Sequence, residues 1–203
     1  MKGFFLFMNG AVILIVIGLI FSLIQDKGHL LLFFAHNRYT VINYFFYYVT
    51  LLGEPHGFIA CGLLLWLISW KKMLTIPVLG AIVIVTSHLL KELFHHERPS
   101  LYLDKIGYDG PMNVLGYHML TGHHSFPSGH SMAAWALFTL MAAHVRKTWV
   151  GIVCLILAAA VSLSRVYLMA HFLEDVVAGA MVGIALGYGV FYGYKKISKD
   201  KAA

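Results

Sequence analysis

Long apolar runs separated by short polar segments dominate the pattern of this chain. The first run covers residues 4–24 and ends at the polar residues 25–27. A helix that crosses the hydrocarbon core of a bilayer needs ~20 apolar residues, whereas the apolar part of a secretory signal is nearer ~7–15. The first run therefore predicts a retained transmembrane helix and not a cleaved signal peptide.

Five further apolar runs predict transmembrane helices at about residues 55–70, 74–94, 128–145, 149–168 and 172–194. Residues 39–52 are also apolar, but they are too few to cross the bilayer as a helix. Their many tyrosines suit the membrane interface, so we expect this aromatic segment to lie along the membrane surface. The expected fold class is all-α: a single polytopic membrane domain, residues 1–203, with six transmembrane helices.

Composition supports a membrane protein. Hydrophobic residues make up 60% of the chain and charged residues only 12%, against roughly 25% charged residues in soluble domains. The net charge of +6 does not predict a nucleic-acid partner, because the basic residues punctuate the apolar runs instead of forming a patch. Cys61 and Cys154 lie inside apolar runs and are expected to be buried thiols, not a disulfide.

Basic residues also predict the orientation, because Lys and Arg concentrate in short cytoplasmic loops. Six spans with both termini cytoplasmic place nine of the fifteen basic residues inside. The expected location is the cell membrane, with the active site facing the extracellular or periplasmic side. The inner residues are Lys2, Lys71, Lys72, Arg146, Lys147, Lys195, Lys196, Lys199 and Lys201; the outer ones are Lys27, Arg38, Lys91, Arg98, Lys105 and Arg165.

In this topology, three groups of polar residues fall at the outer ends of the predicted helices. Together they provide three cations, two histidines, two serine hydroxyls, a glycine and a carboxylate, which suit the binding of a phosphate and attack on it. The groups are Lys91 with Arg98 and Pro99; Pro127, Ser128, Gly129 and His130; and Ser164 and Arg165 with His171 and Asp175.

His171 and Asp175 are four residues apart, so on a helix their side chains share one face. A carboxylate that accepts a hydrogen bond from one ring nitrogen leaves the other nitrogen basic, as a nucleophilic histidine requires. A structural pair at the start of the helix is the alternative. Because ionisable groups are costly at a membrane span, the functional interpretation is favoured.

The Pro127–His130 segment opens the fourth predicted span. Ser128 is a good helix N-cap, and the free amides of a helix N-terminus bind anions. Gly129 allows the backbone close to phosphate oxygens, and His130 is placed to act as a general acid. A plain junction between loop and helix is the alternative.

Lys91, Arg98 and Arg165 are the candidate phosphate clamps. Lys91 and Arg98 would lie about 10 Å apart along an unbroken helix, so they can share an anion only if the helix ends between them. Pro99 disfavours helical geometry at Arg98, which predicts a turn there. Arg165 adds a guanidinium suited to bidentate phosphate contacts. Interfacial snorkelling is the alternative for each cation.

The patterns Lys-x6-Arg-Pro, Pro-Ser-Gly-His and Ser-Arg-x5-His-x3-Asp together resemble the signature of the type 2 phosphatidic acid phosphatase family. The chain is most similar to its bacterial phosphatidylglycerophosphate phosphatase B members. The resemblance implies that His171, oriented by Asp175, attacks phosphorus to give a phosphohistidine. It implies that His130 protonates the leaving group and then activates water, with no metal or other cofactor. The implied phosphate-binding residues are Lys91, Arg98, Ser128, Gly129 and Arg165, and Pro99, Pro127 and Ser164 complete the motifs.

The expected partner is a phosphorylated membrane lipid. Phosphatidylglycerol phosphate, hydrolysed to phosphatidylglycerol, is the first candidate, and undecaprenyl pyrophosphate is the alternative. A non-enzymatic anionic-lipid transporter is the rival of another class, since it would use the same cations but not the paired histidines. A vanadate-dependent oxidase is a remoter possibility. The loop at residues 100–126 is expected to select the head group. The histidines of the predicted outer loop (His95, His96, His123 and His124) lack metal-site spacing and are expected to tune charge or contact that group.

Overall fold

The computed structural model describes residues 2–110, 114–117 and 119–200. The regular elements of this part of the chain are helices, with one isolated bridge between Val114 and Tyr117, so the all-α prediction is confirmed. The elements are α1 (Lys2–Ile24), α2 (His29–His36), α3 (Thr40–Val49), a 3-10 turn (Thr50–Gly53), α4 (Pro55–Ile68), α5 (Trp70–Met73), α6 (Thr75–Phe94), α7 (Pro99–Lys105), α8 (Gly129–Val145), α9 (Thr148–Tyr167) and α10 (Leu173–Asp200).

Helix α8 lies at the centre of the bundle. Each of its residues from Ser131 to His144 is buried. It packs most closely against α10, where a Cβ atom added at Gly183 would lie 2.3 Å from the Met132 carbonyl oxygen and one at Gly187 would lie 2.3 Å from that of Ala136. The small residues on this face of α10 therefore permit the close approach of the two helices.

Several helices have the length and apolarity of membrane spans. Four of the described stretches meet both requirements: Lys2–Ile24, Trp70–Lys105, Thr148–Tyr167 and Leu173–Ser198. A fifth span results if Thr40–Gly53 and Pro55–Ile68, which meet at an angle of 65°, cross together as one broken helix. The chain is thus a membrane protein, and the surface position of residues 39–52 stays a prediction.

Two chain reversals bring the polar groups to one end of the bundle. Helix α6 ends at Phe94, and the next residue, His95, is left-handed (φ 39°). Arg98 is extended before Pro99 begins α7, so the predicted turn is confirmed. After α9, Met169 is also left-handed (φ 56°), and the amides of Ala170 and His171 both donate to the Arg165 carbonyl. This second turn folds His171 back beside the end of α9.

Candidate active site

His171 and Asp175 form a buried pair at the start of α10. The ring Nδ1 lies 3.4 Å from Asp175 Oδ2, and the two residues are 2% and 0% exposed. The same carboxylate oxygen accepts hydrogen bonds from Ser125 Oγ at 2.5 Å and from the Phe172 amide at 3.0 Å. Because Nδ1 faces the carboxylate, Nε2 is the nitrogen left for chemistry.

The pairing arises in a different way from the sequence-based expectation. Helix α10 begins at Leu173, so His171 precedes the helix and does not sit on its surface. Asp175 caps the turn through the Phe172 amide, and His171 is held by the α9 reversal. The side chains meet as predicted, but a turn and not a helical face brings them together.

Burial keeps the His171 imidazole neutral. It lowers the pKa of His171 to about 4 from an ordinary value of 6.5, although the hydrogen bond and attraction to Asp175 act in the opposite direction. Nearby Arg165 and Arg98 lower the pKa further. A neutral imidazole oriented by a carboxylate has the free lone pair that a nucleophile needs.

The N-terminus of α8 meets Lys91. Ser128 is the N-cap, as predicted, and its Oγ accepts from the Ser131 amide at 3.4 Å. The Ser128 amide donates to the Asp175 carbonyl, which ties this end of α8 to α10. A Cβ atom at Gly129 would lie 3.7 Å from Lys91 Nζ, so the ammonium approaches the backbone that is expected to bind phosphate.

Arg98 and Arg165 are buried guanidinium groups held by neutral oxygens. Arg98 donates to the carbonyls of Ala170 and His124 at 3.2 and 3.0 Å. Arg165 donates to Thr50 Oγ1 at 2.7 Å and to the Tyr117 hydroxyl at 2.6 Å. Because carbonyl and hydroxyl oxygens do not neutralise them, both guanidinium groups keep their positive charge available for an anion.

These cations share one neighbourhood. Lys91 interacts electrostatically with Arg98, Arg165 and Asp175, and His130 does so with Lys91, Arg98, Arg165 and His171. The structure therefore brings the three separated sequence motifs into one cluster. The motif residues Pro99, Pro127 and Ser164 shape its framework: the two prolines are buried, and Ser164 Oγ donates to the Val161 carbonyl.

His130 has a carboxylate neighbour that the sequence analysis missed. Its Nε2 lies 3.1 Å from Glu54 Oε1, at the junction between the 3-10 turn and α4. Gly53 allows this junction to approach, because a Cβ atom there would lie 2.9 Å from the His130 carbonyl oxygen. The acidic residue between two apolar segments was the one sequence signal for it.

Three other residues around the site were also missed: Ser125, Thr50 and Tyr117. The first supports Asp175, and the other two support Arg165. Ser125 stands two residues before the Pro127 motif, which is a weak signal. Thr50 belongs to the aromatic segment and Tyr117 to the loop after α7, and neither position suggests an interaction with Arg165.

Three of the histidines assigned to the predicted outer loop, His95, His96 and His124, lie near the site. His96 Nδ1 is 3.9 Å from Asp175 Oδ1, and the rings of His95 and His124 have centroids 5.7 Å apart. In the described residues, no group of three or more His, Cys, Asp or Glu side chains is arranged to hold a metal ion.

An apolar groove leads from the cluster along the bundle. Its volume is about 1150 Å³, and it runs between α4 and α6. Glu54, Lys91 and Gly129 line one end, while Trp66 and Met73 lie far along it. Ile59, Leu63 and Trp66 line the groove and are exposed, so the groove is open to the surface of the bundle.

Comparison with known proteins identifies the family. The sequence model of the PAP2 superfamily matches residues 72–199. The chain belongs to the PAP2 superfamily. The match includes all three polar motifs, so the sequence-based resemblance is confirmed.

Curated relatives of this PAP2 superfamily member carry several names. The chain is 30% identical over 170 residues to mouse glucose-6-phosphatase 3, covering 75% of this chain and 49% of that protein. It is 30% identical over 130 residues to the putative undecaprenyl-diphosphatase YbjG of Escherichia coli, covering 62% and 60%. It is 28% identical over 137 residues to Bacillus subtilis phosphatidylglycerophosphatase B, covering 63% and 60%. The chain thus spans about half to three fifths of these relatives.

Two solved structures share the fold. Aquifex aeolicus LpxE aligns with a TM-score of 0.69 and 23% identity, covering 83% of this chain and 98% of that one. The Bacillus subtilis PAP2-type phosphatidylglycerolphosphate phosphatase aligns with a TM-score of 0.67 and 24% identity, covering 97% of each chain. The membrane PAP2 fold therefore extends over nearly the whole chain.

Proposed function

We propose that this protein is a metal-independent phosphatase that removes phosphate from a membrane lipid through a phosphohistidine on His171. The single observation that carries the proposal is the buried pair of the His171 imidazole and the Asp175 carboxylate, which lies within a cluster of three cations at the end of an apolar groove. A transporter would need the cations but not a carboxylate-oriented imidazole.

The proposed reaction has two steps. His171 Nε2 attacks phosphorus while His130 gives a proton to the leaving oxygen. Water then attacks the phosphohistidine, with His130 accepting its proton, and releases phosphate. Lys91, Arg98 and Arg165, with the α8 amides near Ser128 and Gly129, stabilise the charge on the phosphoryl oxygens, a task that Mg²⁺ performs in other phosphoryl transfers.

The groove supports a lipid substrate. Its walls are apolar side chains such as Phe58, Ile59 and Ile84, and it ends at Lys91 and Gly129. A bound acyl or prenyl chain could lie in it while the phosphate reaches the cations. Burial of each methylene contributes about 0.8 kcal/mol, so a long chain adds substantial binding free energy.

We propose phosphatidylglycerol phosphate as the first substrate and undecaprenyl pyrophosphate as the alternative. Relatives with both names match the chain. The cluster contacts only the phosphate, which the two lipids share. Selection between them is assigned to the head-group side of the site, including residues 100–126.

We also propose six transmembrane helices, with both termini cytoplasmic and the site outside. The described stretches that meet the length and apolarity requirements supply four spans, and α8 and α4 supply the other two. The distribution of basic residues supports this orientation. In this arrangement the substrate phosphate is in the outer leaflet.

Phosphate release from purified protein tests the proposal. We expect release from phosphatidylglycerol phosphate or undecaprenyl pyrophosphate in the presence of EDTA, and inhibition by vanadate. His171→Ala should abolish this release. When wild-type protein reacts with a substrate radiolabelled in its phosphate and is rapidly quenched, the protein should carry acid-labile label, as expected for a phosphohistidine. Retained activity in His171→Ala, or loss with EDTA, would contradict the mechanism.

A groove variant separates lipid from soluble substrates, such as the one in the name of the mouse relative. Ala81 lines the groove on α6, whereas its exposed neighbour Ile82 does not. Ala81→Trp should lower kcat/KM for a long-chain lipid phosphate but not for p-nitrophenyl phosphate, and Ile82→Trp should change neither. Equal effects of Ala81→Trp on both substrates would contradict chain binding in the groove.

A further inference from the structure

Glu54 lies where the helical chain breaks between two apolar segments. The backbone is extended at this residue, and Pro55 begins α4. Glu54 Oε1 is 3.1 Å from His130 Nε2, and Glu54 Oε2 is 3.7 Å from His56 Nδ1. The His56 side chain is 71% exposed, whereas those of Glu54 and His130 are 32% and 29% exposed. The interaction with His130 is therefore the shorter and the more enclosed.

The surroundings of His130 make this partner consequential. Lys91, Arg98, Arg165 and His171 interact electrostatically with His130, so the His130 ring lies among the cations of the cluster. Among the described residues, Glu54 is the carboxylate within ion-pair distance of His130. An imidazolium that must donate a proton needs such a counter-charge, because the cations that bind phosphate would otherwise favour the neutral ring.

We infer that Glu54 is a positioning residue that makes His130 the proton carrier of the reaction. This inference rests on the proposed function. Glu54 accepts the Nε2 proton of His130, fixes the ring orientation and leaves Nδ1 to exchange protons with the substrate. The site then contains two carboxylate–imidazole pairs: Asp175 with His171, the nucleophile, and Glu54 with His130, the acid and base.

The proton balance follows from this pairing. In the first step the bond from His171 Nε2 to phosphorus forms, the bond from phosphorus to the leaving oxygen breaks, and the His130 Nδ1 proton passes to that oxygen. In the second step His130 Nδ1 takes a proton from water as its oxygen bonds to phosphorus and the phosphorus–His171 bond breaks. The Nε2 proton stays with the hydrogen bond to Glu54 throughout.

A comparison of leaving groups tests the role of Glu54. A lipid phosphate releases an alkoxide that needs a proton, whereas p-nitrophenyl phosphate releases a stable phenolate. Because kcat/KM covers the steps up to departure of the leaving group, Glu54→Gln should lower kcat/KM about 100-fold for dioctanoyl phosphatidic acid. The value for p-nitrophenyl phosphate should be nearly unchanged, and Glu54→Asp should recover part of the loss.

Matched variants make the outcome decisive. His130→Ala should lower kcat/KM for dioctanoyl phosphatidic acid and leave the value for p-nitrophenyl phosphate nearly unchanged. The double variant with Glu54→Gln should show no further loss, because Glu54 is inferred to act only through His130. His56→Ala removes the exposed neighbour of Glu54 and should leave kcat/KM unchanged for both substrates. The ratio of the two kcat/KM values is measured within one preparation, so partial misfolding cancels.

The failures are distinguishable. This inference is overturned, and the proposed function stands, if the wild-type protein is active and Glu54→Gln lowers kcat/KM equally for both substrates or for neither. If the wild-type protein releases phosphate from neither test substrate, and from neither phosphatidylglycerol phosphate nor undecaprenyl pyrophosphate, the proposed function and this inference are both overturned.

Discussion

The charge state of each residue at the site depends on its burial and on the groups that contact it. Arg98 and Arg165 are almost fully buried, yet their partners are neutral oxygens, so their charge stays available for phosphate. His171 is buried against a carboxylate and stays neutral. The different charges of His171, which is neutral, and of the two guanidinium groups, which are positive, therefore follow from burial and partner type.

Titration of His171 tests this at the residue scale. Burial lowers its pKa to about 4, so the ring should stay neutral through physiological pH and protonate only as the pH falls through about 4. In NMR spectra of histidine-labelled protein, the imidazole signal that is absent from His171→Gln should show this behaviour. A midpoint near 6.5 would contradict the buried geometry.

Asp175→Asn provides the matched comparison. Because the carboxylate raises the pKa of His171, its removal should move the titration to a lower pH. Turnover should fall by at least about 100-fold, because an amide can select the wrong tautomer. The lowered pKa of His171 also makes the stability of the fold depend on pH. The contribution of the buried neutral ring to the free energy of unfolding is complete above about pH 6.5 and is lost as the pH falls towards 4.

At the scale of elements, the site depends on the close packing of α8 against α10. The N-terminus of α8 carries Ser128, Gly129 and His130, while the start of α10 carries Asp175. The Ser128 amide donates to the Asp175 carbonyl, and Gly179 allows the approach. The spacing between these helices therefore sets the distance between the proposed phosphate-binding residues of α8 and the His171–Asp175 pair.

Gly183→Ala tests this packing. An added Cβ atom would lie 2.3 Å from the Met132 carbonyl oxygen, so the helices must separate. We expect a loss of about 1–3 kcal/mol of stability, as in overpacked cores, measured as a lower midpoint of thermal unfolding in detergent. Gly189→Ala on the same helix meets no atom within 4 Å and should be neutral or slightly stabilising. Equal midpoints for both variants would contradict the packing account.

At the scale of the whole molecule, the apolar surface of the helices suits a membrane, and the polar motifs are clustered at one end of the helical bundle. Four described stretches can cross a membrane, and the polar cluster lies at one end of the bundle. Lipid phosphates meet water at the membrane boundary, so in the proposed function the site reaches the phosphate at that level and the groove binds the lipid chain. The distribution of basic residues supports our proposal that the site faces the outer side of the membrane.

Cysteine labelling tests the orientation. Asp104 on α7 lies on the site side and Lys147 follows α8 at the other end, and both are exposed. In intact cells a membrane-impermeant maleimide should label Asp104→Cys but label Lys147→Cys only after permeabilisation. Native Cys61 and Cys154 are buried and should contribute little background. Labelling of Lys147→Cys alone in intact cells would reverse the proposed topology.

The sequence by itself determined the helical, membrane-embedded class, because apolar run length and the placement of charges depend only on local composition. It also predicted Ser128 as a helix cap and the turn before Pro99, since both follow from the conformational preferences of neighbouring residues. Only the tertiary structure revealed the contacts of Thr50 with Arg165 and of Glu54 with His130, which join residues 115 and 76 positions apart. Such contacts arise when whole helices pack, and no local pattern specifies which side chains then meet.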